Sequence, residues 1–158
     1  MFFVLVSLCM GVVFFSLKEE LPVTSTELYV VDAELMRLIP VEVEMCRGDK
    51  SSQAEFVIKR LTLGFDENPK IRRLIPDIKN VMSVKVRGTT AYVNISDKMV
   101  KNHPDGRVLE KLTVYSIVNS LTEIDGINSV RFTVDKKVTK KFMGYIDMRN
   151  VFKKEDVV

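Results

Sequence analysis

The hydrophobic period of this chain switches several times, and the order of the switches restricts the fold more than any single residue does. Leu28-Tyr-Val-Val31 is β-branched and aromatic and reads as a strand ending at Asp32. From Leu38 to Met45 the period is two: Ile39, Val41, Val43 and Met45 fall on one face, Glu42 and Glu44 on the other. Pro40 confines that strand to a sheet edge or places it at the strand's start, because proline cannot donate to a ladder. A helical stripe follows, with Ala54, Val57, Ile58 and Leu61 on one side and Gly64 as its stop. Ser52 and Glu55 have the spacing of a capping box that would open this helix.

Asn68-Pro-Lys-Ile71 predicts a second, shorter helix with Pro69 at its first position, running to about Leu74 before Pro76. Val81–Arg87 and Thr90–Ile95 flank Gly88-Thr89 and predict a hairpin. A loop with Asp97, Asn102, Pro104 and Gly106 comes next. The longest helix is expected over Arg107–Glu123, with Leu109, Leu112, Ile117, Leu121 and Ile124 in a broad apolar band and Asp125-Gly126 as terminator. Val130, Phe132 and Val134 then alternate as a strand, and Phe142–Ile146 is a weaker one. The order predicts one α+β domain over residues 27–152, two main helices packed on a single mixed or antiparallel sheet, with a polar tail over 153–158.

Charge divides the chain in two. All 24 Lys and Arg and all 21 Asp and Glu lie beyond Leu17. Phe2–Leu17 would span roughly 24 Å as a helix, slightly short of a bilayer core of about 30 Å. Its all-round apolarity predicts a membrane anchor or signal segment over 1–17, followed by a linker over 18–26. The poor cleavage site at Phe14–Leu17 favours an uncleaved anchor. The net charge of +3, with both signs interspersed, gives no footprint for nucleic acid. Cys9 and Cys46 would be separated by the membrane boundary, and neither has metal-ligand spacing.

Nothing in the pattern announces chemistry, so an enzyme, a cofactor and a bound metal are not expected. His103, the one histidine, sits in a turn-like Asn-His-Pro-Asp-Gly loop and is expected to be solvated. Glu42 and Glu44 alternate outward as a solvated face would. Arg47-Gly-Asp49 is turn chemistry. Asn94, Ser96, Asn119, Ser120, Thr122 and Glu123 are expected to cap strand and helix ends. Lys136, Lys137, Lys140 and Lys141 form the strongest basic patch, expected as a lysine-protected strand edge. Together with the edge at Pro40 they are the candidate interface.

The stretch Tyr115-Ser-Ile-Val-Asn-Ser-Leu-Thr-Glu123, read with Ala91-Tyr-Val-Asn-Ile-Ser96, resembles the GerMN domains of sporulation and spore germination proteins. Leu28-Tyr29, Ala54, Leu61, Gly64, Ile75-Pro76, Gly88, Gly106, Glu110, Val130 and Asp135 extend the resemblance across Leu28–Phe152. The chain departs from the family at turns. It has Gly64-Phe65 for the family's frequent Gly-Pro, Asp135-Lys136 for Asp-Gly, and no proline before Phe152. The resemblance implies a fold similar to the ring-building motif of secretion-like assemblies. It implies a non-catalytic domain, membrane-anchored on the extracytoplasmic side, that supports a sporulation or germination complex through contacts with other membrane-associated proteins or with its own copies. The alternatives are a cell-wall or germinant ligand-binding module, or an accessory subunit of a cell-wall enzyme.

Overall fold

The computed structural model describes residues 22–76, 82–141 and 144–156. The expected membrane segment, and Lys18–Leu21 of the expected linker, lie outside them. Strand β1 (Val23–Asp32) pairs antiparallel with β2 (Leu38–Cys46) and, at its end, with the short β3 (Ile71–Arg72). A second sheet has the order β4-β5-β6, where β4 (Met82–Arg87) and β5 (Thr90–Ile95) are antiparallel and β5 and β6 (Ser129–Val134) parallel. The single expected sheet is therefore two three-stranded ones. Val23–Thr26, expected in the linker, forms the first four residues of β1.

Helix α1 (Lys50–Leu63) buries Ala54, Val57, Ile58 and Leu61, the stripe its sequence displays. Its cap is not the Ser52/Glu55 box. Asp49 precedes it and accepts from the Ser51 and Ser52 backbone N–H groups at 2.8 and 3.1 Å. These bonds, Ser52 first, hold the Asp49 carboxyl below its ordinary value. At the other end Gly64 has φ +74°, and a Cβ there would lie 2.6 Å from the Arg73 guanidinium.

The expected short helix at Asn68 is absent. Ile71 N–H donates to the Asn68 carbonyl at 3.0 Å, and Asn68 Oδ1 accepts from Lys70 N–H at 3.1 Å. A β-turn uses a proline in its second position as readily as a helix uses one in its first turn, and here the Asx bond decides for the turn. Conversely, the loop expected after β5 contains a helix, α2 (Asp97–Asn102), capped by the Ser96 hydroxyl on Met99 N–H at 3.3 Å. Of the weak strand expected at Phe142–Ile146, the described part, Gly144–Ile146, is bend, flanked by a lone bridge between Lys141 and Asp147.

The long helix α3 (Arg107–Thr122) is buried on more than one face. Leu112, Val114, Ile117, Val118 and Leu121 are at most 1% exposed, and Glu110, Thr113, Asn119 and Ser120 are buried with them. One core joins α1, both sheets and α3 around Leu28, Val57, Val93, Ile117 and Phe132. A smaller cluster of Val31, Leu74 and Leu112 closes the other side of β1.

Two hairpin turns follow turn chemistry closely. Gly88 has φ +60° and Thr89 does not share the positive φ, as a Gly-X type II′ turn requires. After β6, Val134 and Lys137 exchange both backbone hydrogen bonds across Asp135-Lys136, whose φ angles are +46° and +64°. That is the two-residue turn with both central φ positive for which Asp-Gly is the preferred pair.

Candidate interaction surfaces

The polar residues inside the domain are engaged in holding it together. Tyr29 on β1 lies opposite Pro40 on β2. Its N–H goes instead to Ser120 Oγ at 2.8 Å, and its carbonyl accepts from Ser116 Oγ at 2.5 Å. Ser120 in turn donates to the Ser116 carbonyl at 2.7 Å. Two serines on α3 thus serve β1 where a neighbouring strand would. The same geometry explains Pro40: backbone groups of a non-hydrogen-bonded pair point away from each other, so its missing N–H falls on the outer edge of the sheet. The edge position expected for Pro40 is the one observed.

Asn119 grips the chain's end. Its Nδ2 donates to the Glu155 carbonyl at 2.8 Å and its Oδ1 accepts from Glu155 N–H at 3.2 Å. Glu155 pairs with Lys111 at 3.0 Å, and Lys154 pairs with Glu123, which also accepts from the Tyr29 hydroxyl at 3.3 Å. The Glu123 carboxylate raises the Lys154 ammonium above its ordinary value. The polar tail expected over 153–158 is docked at Lys154 and Glu155. Just before it, Phe152 exchanges both backbone bonds with Val130, its ring edge-on to Phe132.

Glu110 is 1% exposed, and its two oxygens accept from the Tyr145 and Ile146 backbone N–H groups at 3.0 Å each. His103, expected on the surface, is buried at the end of α2. Its Nδ1 lies 2.7 Å from the Pro104 carbonyl and its Nε2 2.7 Å from Thr113 Oγ1. A carbonyl only accepts, so the neutral ring carries its proton on Nδ1 and accepts from Thr113. Burial lowers its pKa from the ordinary 6.5 despite the opposing pull of the Pro104 bond and the Glu110 charge. Sequence alone could have found this only by pairing His103 with Thr113 on the following helix.

Of the six capping candidates, Ser96 and Thr122 act locally, Thr122 by donating to the Val118 and Asn119 carbonyls. Asn94, Asn119, Ser120 and Glu123 reach across the chain. Asn94 Oδ1 accepts from Thr133 Oγ1 at 3.0 Å and Lys136 N–H at 2.6 Å, tying β5 to the turn after β6.

The hollows are small or open. One, lined by Val30, Phe65, Ile75 and Ser116, holds about 30 Å³, a volume for one water. Another, about 330 Å³ between Glu27, Glu42 and Glu123, is a groove open to solvent. Among the described residues no cluster of His, Cys, Asp and Glu could hold a metal, and no helix is long and apolar enough to cross a membrane. Cys46 is a free, exposed thiol.

The candidate interface residues lie in separate parts of the fold. Pro40 is on the outer edge of β2, while Lys136, Lys137, Lys140 and Lys141 are exposed beyond β6. The lysine segment is a hairpin return and a loop, not the strand edge expected. Lys137 folds back on Val134, and the Lys140 carbonyl accepts from Met148 N–H at 3.0 Å.

These features define a small α+β domain with two three-stranded sheets joined through α1 and α3. Residues 27–140 match the sporulation and spore germination family, Germane, and the chain belongs to it. No curated protein sequence matches significantly. Solved structures share the fold. A candidate lipoprotein from Clostridium perfringens is 20% identical, with a TM-score of 0.62 over 85% of this chain and 90% of that one. The tandem GerMN domains of the sporulation protein GerM from Bacillus subtilis are 16% identical, with a TM-score of 0.60 over 87% of this chain. This chain spans 46% of that pair. The first GerMN domain alone gives 16% identity and a TM-score of 0.58, over 85% of this chain and 96% of that one.

Proposed function

We propose that this protein is a non-catalytic, membrane-anchored, extracytoplasmic domain that supports a sporulation or germination complex through domain–domain contacts. The observation that carries this is where the polar groups go. Glu110, His103, Asn94, Asn119, Ser116 and Ser120 all bond to other parts of the same chain. What faces outward instead is strand edge and charge: the outer edge of β2 at Pro40, and the lysines from Lys136 to Lys141. Family membership supports the sporulation setting. The charge-free Phe2–Leu17 run supports the anchor, as does the fold shared with a candidate lipoprotein.

Anchoring would confine partners to two dimensions and raise their effective concentration, so that weak contacts suffice. The test is affinity purification of the full-length chain from membranes of sporulating cells. Co-purification of other envelope proteins, reduced by charge reversal at Lys140 and Lys141, is the expected result. Recovery of the chain alone, or turnover of a cell-wall substrate by the purified protein, would overturn the reading.

A further inference from the structure

The two sheets present open faces of opposite charge. On the second sheet the register aligns Lys85, Tyr92 and Arg131 in one row across β4, β5 and β6. Lys85, Arg87 and Arg131 are exposed, and Tyr92 is 40% exposed at their centre with the Arg87 guanidinium 5.8 Å from its ring centroid. The other outward positions of these strands are Ser83, Thr90, Asn94, Ser129 and Thr133, so no carboxylate dilutes the face. On the first sheet the outward side chains of β1 and β2 include Glu27, Glu42 and Glu44, all exposed. Glu27 and Glu42 are direct cross-strand partners, an arrangement that repels. None of these six charged groups has an ion-pair partner among the described residues.

Opposed like charges on one strand pair, with no ion-pair partner and only the neutral Tyr29 hydroxyl bonded to Glu27 at 3.4 Å, gain from a cationic surface laid across them. A flat basic face around an exposed tyrosine gains most from an acidic one. The same chain supplies both. We propose that the Lys85–Tyr92–Arg131 face of one copy docks on the Glu27–Glu42–Glu44 face of a second copy. The occupant of the basic face is thus another molecule of this chain, chosen on charge complementarity. The contact joins unlike faces, so it is head-to-tail: each added copy leaves one basic and one acidic face free, and copies extend as a ring or a filament. This deepens the scaffold reading above and rests on it.

The experiment is sedimentation velocity of the full-length chain, in detergent, at low and high salt. The variants are Lys85→Glu/Arg87→Glu/Arg131→Glu and Glu27→Lys/Glu42→Lys/Glu44→Lys, with thermal melts to verify folding. All six sites are exposed, so both variants should fold. The expected result is salt-sensitive self-association of the parent chain, loss of it in each variant alone, and its return in an equimolar mixture of the two. A parent chain that stays monomeric at low salt, or a mixture that fails to reassociate while both variants are folded, overturns the proposal. So does binding of anionic lipid vesicles or wall polymer that needs the basic face and ignores the acidic one. If the chain stays monomeric yet still co-purifies with envelope proteins, only the pairing of sheet faces falls. If neither is seen, the scaffold reading falls with it.

Discussion

Protonating His103 would put a charge where the fold has removed water. Its folded pKa lies below the ordinary 6.5 because burial disfavours the imidazolium. The neutral form is therefore the one that folding favours. This contribution to stability is fully present above about pH 6.5 and is lost as pH falls through the folded value. We expect the melting temperature to drop between pH 7 and pH 5, and His103→Gln to drop less over the same interval. Parallel curves for the two proteins would contradict the assignment. Thr26 offers the opposite case. Its hydroxyl is buried and has no hydrogen-bond partner among the described residues. Thr26→Val, nearly isosteric, should be neutral or raise stability by up to about 1 kcal/mol, read by chemical denaturation. A loss of more than that would reveal a bond to the hydroxyl. Neither residue's role was legible in sequence. A lone histidine in Asn-His-Pro-Asp-Gly looks like turn chemistry until α2 places Thr113 against it, and a threonine in a strand gives no sign of which partner it lacks.

Elements were more legible than single residues, and the reason is periodicity. The alternation in β2, the stripe of α1 and the hairpin at Gly88 fold as their patterns dictate, because each turns one consistent set of side chains inward; the apolar band of α3 is inside too, but polar residues on its other faces are buried with it. Leu121 is fully buried on α3, so Leu121→Asp should cost about 3 kcal/mol or more and unfold the domain; an unchanged melting temperature would contradict that packing. The misreadings fall where one local signal serves two structures. Asn-Pro opens a helix or a β-turn, and a serine before a short charged run caps a helix or lies in a loop. Two sheets rather than one could not be seen from strand patterns alone, since at Tyr29 the free edge of β1 is met by two serines of α3 and not by another strand. The turn at Asp135-Lys136 is more informative still. Lys136 adopts φ +64°, where a β-carbon is strained, at the position the family often fills with glycine. Lys136→Gly should therefore stabilise the domain by roughly 1 kcal/mol in equilibrium denaturation, and a destabilisation would mean that the lysine side chain makes a contact worth more than the strain.

For the whole molecule, family membership places the domain among sporulation and spore germination proteins; charged faces and strand edges lie outward, and the polar interior is spent on architecture. The positions of the candidate interface residues were partly legible. Pro40 announced its edge because proline cannot sit inside a ladder, and the lysines announced their exposure by charge. The basic face around Tyr92 was not legible, because Lys85, Tyr92 and Arg131 are scattered in sequence and meet only through the register of three strands. The role proposed for the protein is service to spores by contact and not by chemistry. It is tested most directly by counting heat-resistant and germinating spores in a deletion strain complemented with the parent chain or with Lys140→Glu/Lys141→Glu. Fewer such spores are expected on deletion, with rescue by the parent chain and failed rescue by the folded charge-reversed chain at equal abundance. A deletion strain that sporulates and germinates like its parent would contradict it.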